Sequence, residues 1–377
     1  MITNSILRFL FWFFAIVPIS GLSFLSSEIL FLTYAELFLL FIMLLCLVTM
    51  SSIKSRDLII ISLLLIFTLF NIFNLISSFS SFQLLKDLKP YFFLIGTLLC
   101  ISTRNQPIFT NINLNKVLTI IIVADIFCYL LLMALPELMP EGIRKELFLR
   151  TGIYRYSDFA VIFAQTIAIV SFYTHRFEPK KLNTSFFLFL LIGALTQDRA
   201  FLLVGFASYI INLLPRISFI NFVVGLTFLV IPVFILSGLE QNEIIERFTN
   251  LNNITLILEE LAIRIVLPVI SGGYILDATT ILFGEGLNYK FFIPWYEYRG
   301  LNPYHNSVDS FFVTFFVKHG LVGLTLFLFA LLSSLRGQPR WIFIWIILYF
   351  ITHNGAYQAT FLLMMFFLVC IGRNRNV

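Results

Sequence analysis

The stretch that decides the fold is "NSVDSFFVTFFVKHGLVGLTLFLFALLS", residues 306–333. From Phe311 onward it is almost entirely apolar, and it is longer than the ~20 residues with which an α-helix crosses ~30 Å of hydrocarbon. A backbone surrounded by lipid must satisfy its own hydrogen bonds, and a helix does so within one segment. The stretch therefore predicts a transmembrane α-helix.

Similar apolar runs recur along the chain. Of its 377 residues, 59% are hydrophobic and 12% are charged, and the mean hydropathy is +0.96, whereas soluble domains carry roughly 25% charged residues. Hydropathy with breaks at polar clusters predicts about twelve spans, near 5–25, 29–50, 58–78, 90–102, 115–135, 158–174, 183–197, 200–214, 217–237, 306–333, 341–353 and 355–371. We expect an all-α polytopic membrane protein in which residues 1–377 form a single integral membrane domain.

The distribution of charge predicts the orientation of these spans. If the N-terminus is cytoplasmic, the connections and helix ends on that side hold 13 basic residues and 2 acidic ones, which leaves 12 basic and 18 acidic residues elsewhere. Because Lys and Arg concentrate in cytoplasmic loops, this pattern predicts that both termini are cytoplasmic. Two long connections, 136–157 and 238–304, then face outward. In a bacterium they would face the periplasm from the inner membrane.

Several function classes lack their sequence signatures. The four cysteines are scattered through apolar runs and have no spacing typical of a disulfide framework or a zinc site. No basic stripe with interleaved aromatics predicts nucleic-acid binding. The phosphate-binding loop of ATPases, the HExxH zinc motif and the GxSxG serine elbow do not occur in the sequence.

Basic residues are disfavoured in and beside the outward connections, and three of the arginines that do occur there stand out by their surroundings. Arg155 stands between Tyr154 and Tyr156, Arg199 lies at a tight turn in "LTQDRAFLLVGF", and Arg264 is flanked by apolar residues in "ELAIRIVLPV". A guanidinium gives bidentate hydrogen bonds to phosphate oxygens, so arginines that converge at an interface suit a lipid diphosphate. For each of them, an ordinary salt bridge is the alternative, and the two tyrosines also fit an aromatic belt.

A polar patch, "GLNPYHNSVDSFF" at residues 300–312, ends the larger outward connection. His305 is the strongest candidate for chemistry because imidazole titrates near neutral pH and can accept a proton from a sugar hydroxyl. Asn306 could orient the ring or cap the following helix, and Tyr304 offers a face for a sugar, as do Tyr289, Trp295 and Tyr296 earlier in the connection. Upstream, Gly284 and Gly286 in "FGEGL" permit tight turns and close ligand approach. The alternative for His305 is an interface or capping residue.

The order of these motifs resembles that of a known family. "DRAFLLVG", then an outer-loop arginine, then "FGEGL", then "HNSVDSFFVTFFVKHGLVGL" are similar to the O-antigen polymerase and O-antigen ligase superfamily. The similarity in topology covers most of the chain, while the motifs lie within about 195–205 and 262–325. Family members often carry an acidic residue where this chain has Lys318, so no role is assigned to that position.

The resemblance implies an integral-membrane glycosyltransferase that acts at the periplasmic face on oligosaccharides linked to undecaprenyl diphosphate. Arg199 and Arg264 match the diphosphate-contacting arginines of the family, and His305 matches the histidine proposed to activate the acceptor hydroxyl. No cofactor, metal or nucleic acid is expected. The candidate partners are the lipid-linked oligosaccharide, the bilayer, a chain-length regulator and a flippase.

Three functions stay open at this point. A polymerase, which we prefer, transfers the growing chain onto a new lipid-linked repeat unit, whereas a ligase transfers the finished polymer to lipid A core. A flippase or other transporter is the third alternative. Transporters place charges deep in their spans and show inverted repeats; Glu36 and Asp125 are the main candidates for such charges, and no repeat is evident.

Overall fold

The computed structural model describes the helices at both ends of the predicted bundle and the second half of the larger outward connection. The described residues are 32, 34–48, 53–73, 81–102, 134–135, 262–297, 302–338, 340–359, 361–363, 365–366 and 369. They are mostly helical. Both termini and the connection 136–157 lie outside them.

Five longer helices occur in this part of the chain, and each contains or overlaps a predicted apolar run. They are α1 (Tyr34–Val48), α2 (Ser55–Phe73), α3 (Ser81–Ser102), α7 (Phe311–Ser334) and α8 (Arg340–Thr352). Among the described residues, two helices are long and apolar enough to cross a membrane, at Ser55–Ile72 and Phe311–Ser334. The total of twelve spans stays a prediction.

Helix α3 differs most from its predicted span. It begins at Ser81 and continues through Pro90, whereas hydropathy predicts a span only from residue 90. The added turns carry charged side chains that are partnered by other helices and loops: the Nζ of Lys89 lies 2.8 Å from a carboxylate oxygen of Glu36 on α1. Hydropathy averages over all side chains, so it cannot detect a helix that turns its charges toward protein partners.

Helix α7 is the centre of the described bundle. It packs against α2, α3 and α8, and its phenylalanines at 311, 315 and 327 are fully buried together with Phe350 of α8. Helix α2 instead leaves large apolar side chains such as Ile66 and Phe70 exposed. In water such a surface would be unfavourable, whereas a lipid-facing helix requires it.

Polar contacts mark the two ends of α7. Near its C-terminus, the hydroxyl of Ser333 donates to the carboxylate of Asp57 at the start of α2. Beyond its N-terminus, the side-chain amide of Asn306 donates to the carboxylate of Asp87 on α3. The charge distribution in the sequence predicts that the Asp57 end faces the cytoplasm and the Asn306 end faces outward.

The described part of the larger connection is a series of short elements. A π-helical turn (Ala262–Val266) leads into α4 (Leu267–Ser271), and α5 (Ala278–Phe283) follows after an extended link. Two-residue strands, β1 (Phe291–Phe292) and β2 (Tyr304–His305), then pair antiparallel on either side of α6 (Pro294–Glu297). These elements pack against α7 through a small buried apolar cluster of Phe291, Val308 and Val317.

The connection is joined to α7 at a break in that helix. Gly320 has φ 65° and ψ −168°, a non-helical conformation that only glycine adopts readily. The carbonyls before a helix break need new donors; here the amide of Glu285 donates to the oxygen of Val317 (2.8 Å), and that of Gly286 donates to the oxygen of Lys318 (3.0 Å).

Glycine is needed on both sides of this contact. A Cβ on Gly284 would overlap the backbone of Lys318 and His319, and a Cβ on Gly320 would overlap the backbone of Leu282 and Phe283. Backbone cannot move aside as a flexible side chain can. The loop and the helix therefore approach each other more closely than any other residue type would permit.

We expect Gly320→Ala to lower the apparent melting temperature of the detergent-solubilised protein, because it combines this overlap with a strained backbone that costs ~1–3 kcal/mol. Thermal-shift size-exclusion chromatography would measure the change. Gly337→Ala is the matched control, since Gly337 also has a positive φ (84°) but nothing lies within 4 Å of its added Cβ. An equal shift in the two variants would contradict the close contact.

Candidate functional site

The β1–β2 hairpin positions His305 at the outward-predicted end of α7. His305 pairs with Phe291, and the amide of Ile293 donates to the carbonyl of Pro303 at 2.7 Å, which closes the loop around α6. The Nε2 of His305 lies 2.9 Å from the carbonyl oxygen of Asn302. Because a carbonyl can only accept, Nε2 carries the hydrogen, and Nδ1 of the neutral ring is the proton acceptor.

The phenol of Tyr296, on α6, packs edge-on against the ring of His305, with the ring centroids 4.6 Å apart. Burial raises the pKa of Tyr296; the nearby carboxylate of Asp309 raises this pKa further, and the guanidinium of Arg264 opposes both. Tyr296 therefore stays protonated at neutral pH and can donate a hydrogen bond. The phenol therefore lies within electrostatic reach of both charged groups and in contact with His305.

Arg264 and Asp309 form the charged part of the same site. A guanidinium nitrogen of Arg264 lies 3.8 Å from a carboxylate oxygen of Asp309, and the two side chains are 54% and 58% exposed. Solvent-exposed pairs at this distance contribute little to stability, typically ~0–1 kcal/mol. The pair can therefore exchange partners easily, for example when a phosphate reaches the guanidinium.

A second polar network adjoins this site through Asn306. The amide nitrogen of Asn306 donates to Asp87 at 2.9 Å, and its amide oxygen accepts from Lys290. Both ends of the amide therefore already have protein partners. Lys318 is only 5% exposed and donates to the carbonyl oxygen of Leu287 at 3.2 Å.

The remaining predicted residues of the described part are Tyr304, Gly284 and Gly286. Tyr304 is exposed and packs edge-on against Phe292. Gly286 has φ 91° and open space where a side chain would begin, whereas the close approach at Gly284 is to the backbone of α7. The structure thus brings His305, Asn306 and Tyr304 together on one hairpin and brings Arg264 beside them.

Beneath the second network lies a buried chain of hydrogen bonds. The Nε2 of His319 lies 3.0 Å from the hydroxyl of Tyr91, and the hydroxyl of Tyr357 donates to that of Tyr91 at 3.1 Å. The Nδ1 of His319 is buried without a hydrogen-bond partner. This chain connects α7, α3 and the turn after α8, so it fixes the position of the helices below the site.

Sequence reasoning did not identify Asp309, Asp87 or Lys290 as site residues, and it offered Tyr296 only as one aromatic among several. A signal existed in "LLKDLKP", where three charges (Lys86, Asp87 and Lys89) precede a short apolar run. Asp309 is also the one acid between His305 and the following helix. Their partners are distant in sequence, so the pattern alone could not connect them.

Four predicted residues lie outside the described part of the chain: Tyr154, Arg155, Tyr156 and Arg199. Within the described part, no group of three His, Cys, Asp or Glu residues could hold a metal ion. The expectation that the whole protein needs no metal stays a prediction.

We expect Asp309→Asn to change the free energy of unfolding by less than ~1 kcal/mol, because the exposed pair contributes little. Thermal-shift measurements on purified protein, with Arg336→Ala as an exposed-charge control at the other end of α7, would test this. A large loss of stability in Asp309→Asn alone would mean that the pair holds the loop in place.

Comparisons with known proteins identify a family but no function. No curated protein and no solved structure matches the chain. One protein family, described as "Family of unknown function (DUF6369)", matches residues 101–374, which include every predicted site residue. Since this match covers well over half of the sequence, the chain belongs to the DUF6369 family.

Proposed function

We propose that this protein is an O-antigen polymerase, a glycosyltransferase of the bacterial inner membrane with its active site facing the periplasm. It would transfer the growing polysaccharide from undecaprenyl diphosphate onto a new lipid-linked repeat unit. The motif resemblance suggests this reaction. The arrangement of His305, Tyr296, Arg264 and Asp309 is the observation that carries the proposal.

The membrane location is supported by composition and by two helices. The spans at Ser55–Ile72 and Phe311–Ser334 are long and apolar enough to cross a bilayer. Only 28% of the first window is buried within the protein, so most of its apolar surface needs a lipid partner. The candidate site lies just before the second helix, at the end away from Asp57.

In the proposed reaction, the acceptor sugar hydroxyl attacks the anomeric carbon of the donor. A carbon–oxygen bond forms as the bond to the diphosphate breaks, and its electron pair leaves on the diphosphate. The acceptor proton passes to Nδ1 of His305, since Nε2 already holds a hydrogen against the carbonyl of Asn302. General bases of this kind typically contribute 10²–10⁴-fold.

Arg264 would stabilise the charge that develops on the leaving diphosphate. Its pairing with Asp309 is long and exposed, so a phosphate oxygen can replace the carboxylate at little cost. Tyr296, which packs on His305 and lies within electrostatic reach of this arginine, would supply a neutral hydrogen-bond donor. Arg199, by resemblance, would contribute a second guanidinium.

The broken helix α7 is the feature that favours a transporter, because discontinuous helices line the substrate sites of many carriers. Here, however, the carbonyls of Val317 and Lys318 accept from the loop amides. Glu36 is likewise paired with Lys89. The break thus serves to attach the loop, which suits an enzyme whose site lies above the bundle.

We expect His305→Gln and Arg264→Ala each to reduce polymer formation roughly 10²-fold or more. The glutamine amide can still donate to Asn302 but cannot accept the proton as imidazole does. Lipopolysaccharide gels of a deletion strain complemented with each variant, at matched membrane expression, would show core plus one repeat instead of a ladder. Arg336→Ala, an exposed arginine far from the site, should restore the full ladder.

Three other results of these experiments would contradict the polymerase or the proposed roles of its residues. A deletion strain with bare core and accumulated lipid-linked polymer would identify a ligase. Labelled lipid-linked substrate that crosses a proteoliposome membrane without new glycosidic bonds would identify a transporter. A full ladder with both site variants would remove the catalytic role from His305 and Arg264.

A further inference from the structure

Segment 262–283, which contains the π-helical turn, α4 and α5, exposes an unusual number of large apolar side chains. They include Ile263, Val266, Ile270, Leu276, Leu282 and Phe283, with Ile270 67% and Leu276 78% exposed. Such a surface on a loop in water would be unfavourable. It needs an apolar partner.

The contact between α5 and α7 shows where along the central helix segment 262–283 lies. The end of α5 meets α7 at Lys318–Gly320, and Gly320 lies nine residues after the start of the helix, about 14 Å along its axis. The next residue of α7, Leu321, is exposed, and further along the helix so are Phe329 and Leu332. The end of the segment, with the exposed Leu282 and Phe283, therefore meets α7 beside Leu321, within the helix that the proposed location places in the membrane.

The backbone of the segment is suited to a region of low water content. At the turn after α4, the amide of Gly272 donates to Pro268 and that of Gly273 donates to Ile270, each at 3.1 Å. After α5, the amide of Gly284 donates to the oxygen of Thr280 at 2.8 Å, and the amides of Glu285 and Gly286 donate to α7 as described above. Non-helical backbone at membrane depth is tolerated where protein groups satisfy it in this way.

The segment also carries two exposed charges, Asp277 and Arg264. The carboxylate of Asp277 accepts from the amide of Thr280 at 2.6 Å and from the hydroxyl of Thr279 at 2.9 Å. These hydrogen bonds lower the pKa of Asp277, so it is ionised at neutral pH. Arg264 is the other exposed charge. Exposed apolar side chains together with exposed charges suit the membrane interface, where acyl chains and headgroups are both within reach.

We propose that segment 262–283 lies in the outer leaflet of the bilayer, with its apolar side chains among lipid acyl chains and Arg264 and Asp277 at the level of the headgroups. This inference rests on the proposed membrane location but not on glycosyl transfer. Its consequence is that a lipid-linked diphosphate reaches Arg264 sideways, along the membrane surface, without leaving the bilayer.

Site-directed spin labelling of the full-length protein tests this placement. Single cysteines would replace Ile270, Leu276 or Phe283 after the four native cysteines are changed to serine or alanine. Each labelled protein would be reconstituted into phosphatidylethanolamine–phosphatidylglycerol vesicles. Collision rates with oxygen, which concentrates in hydrocarbon, and with a water-soluble nickel chelate would then be compared.

Phe329 and Asn288 are the matched controls, because both are exposed but only Phe329 lies on a candidate span. The oxygen-to-nickel ratio at the three test positions is expected to match that at Phe329 and to exceed that at Asn288 several-fold. Ratios like that of Asn288 would place the segment in water and overturn the inference. If Phe329 also collides mainly with nickel, the membrane location itself fails.

Two further outcomes would also overturn it. Low collision rates with both reagents would mean that other residues of this chain cover the surface. Spin–spin broadening between labels at Leu276, which disappears on dilution with unlabelled protein, would mean that a second copy covers it.

Discussion

The described structure depends on one backbone contact, in which the loop at Gly284 lies directly against α7 at Lys318–Gly320. Helix α7 is broken at Gly320, and the amides of Glu285 and Gly286 replace the helical donors that the break removes. Backbone meets backbone on both sides, so neither partner can be displaced by a change of rotamer. The contact is therefore a fixed joint between the outer loop and the central helix.

This contact between the loop and α7 helps to position the residues of the candidate site. The loop returns from it through β1, α6 and β2, and the hairpin register sets His305 opposite Phe291. Tyr296 then packs on His305, while Arg264 approaches from the turn before α4. Beside them, Asn306 connects the hairpin to α3 through Asp87. Catalysis by positioned groups requires that they be held in place, and here the support comes from helices that bury large aromatic cores.

The same joint gives the loop two different surfaces. One part of its surface carries the polar groups around His305 and Arg264, and another exposes apolar side chains between Ile263 and Phe283. An enzyme that acts on a lipid-linked sugar must contact a charged diphosphate and a hydrocarbon chain at one interface. A loop with a polar part and an apolar part of its surface, anchored within a candidate span, is suited to both.

Within the described part of the chain, the sequence by itself determined where most of the longer helices form, although not where α3 begins, because apolar runs of the right length leave few alternatives. The helices at the runs 306–333 and 341–353 begin and end within a few residues of the prediction. It also indicated His305 and Arg264 as candidates, since polar groups are conspicuous in an apolar chain. Only the tertiary structure decided that Tyr296 and Asp309 join them, that Asp87 meets Asn306 across 219 residues, and that Gly284 serves a backbone contact. The physical reason is the distance along the sequence between the residues that interact. Hydropathy and local motifs report what a residue prefers around itself, whereas a hydrogen bond or a close backbone approach depends on a partner that folding brings from elsewhere in the chain.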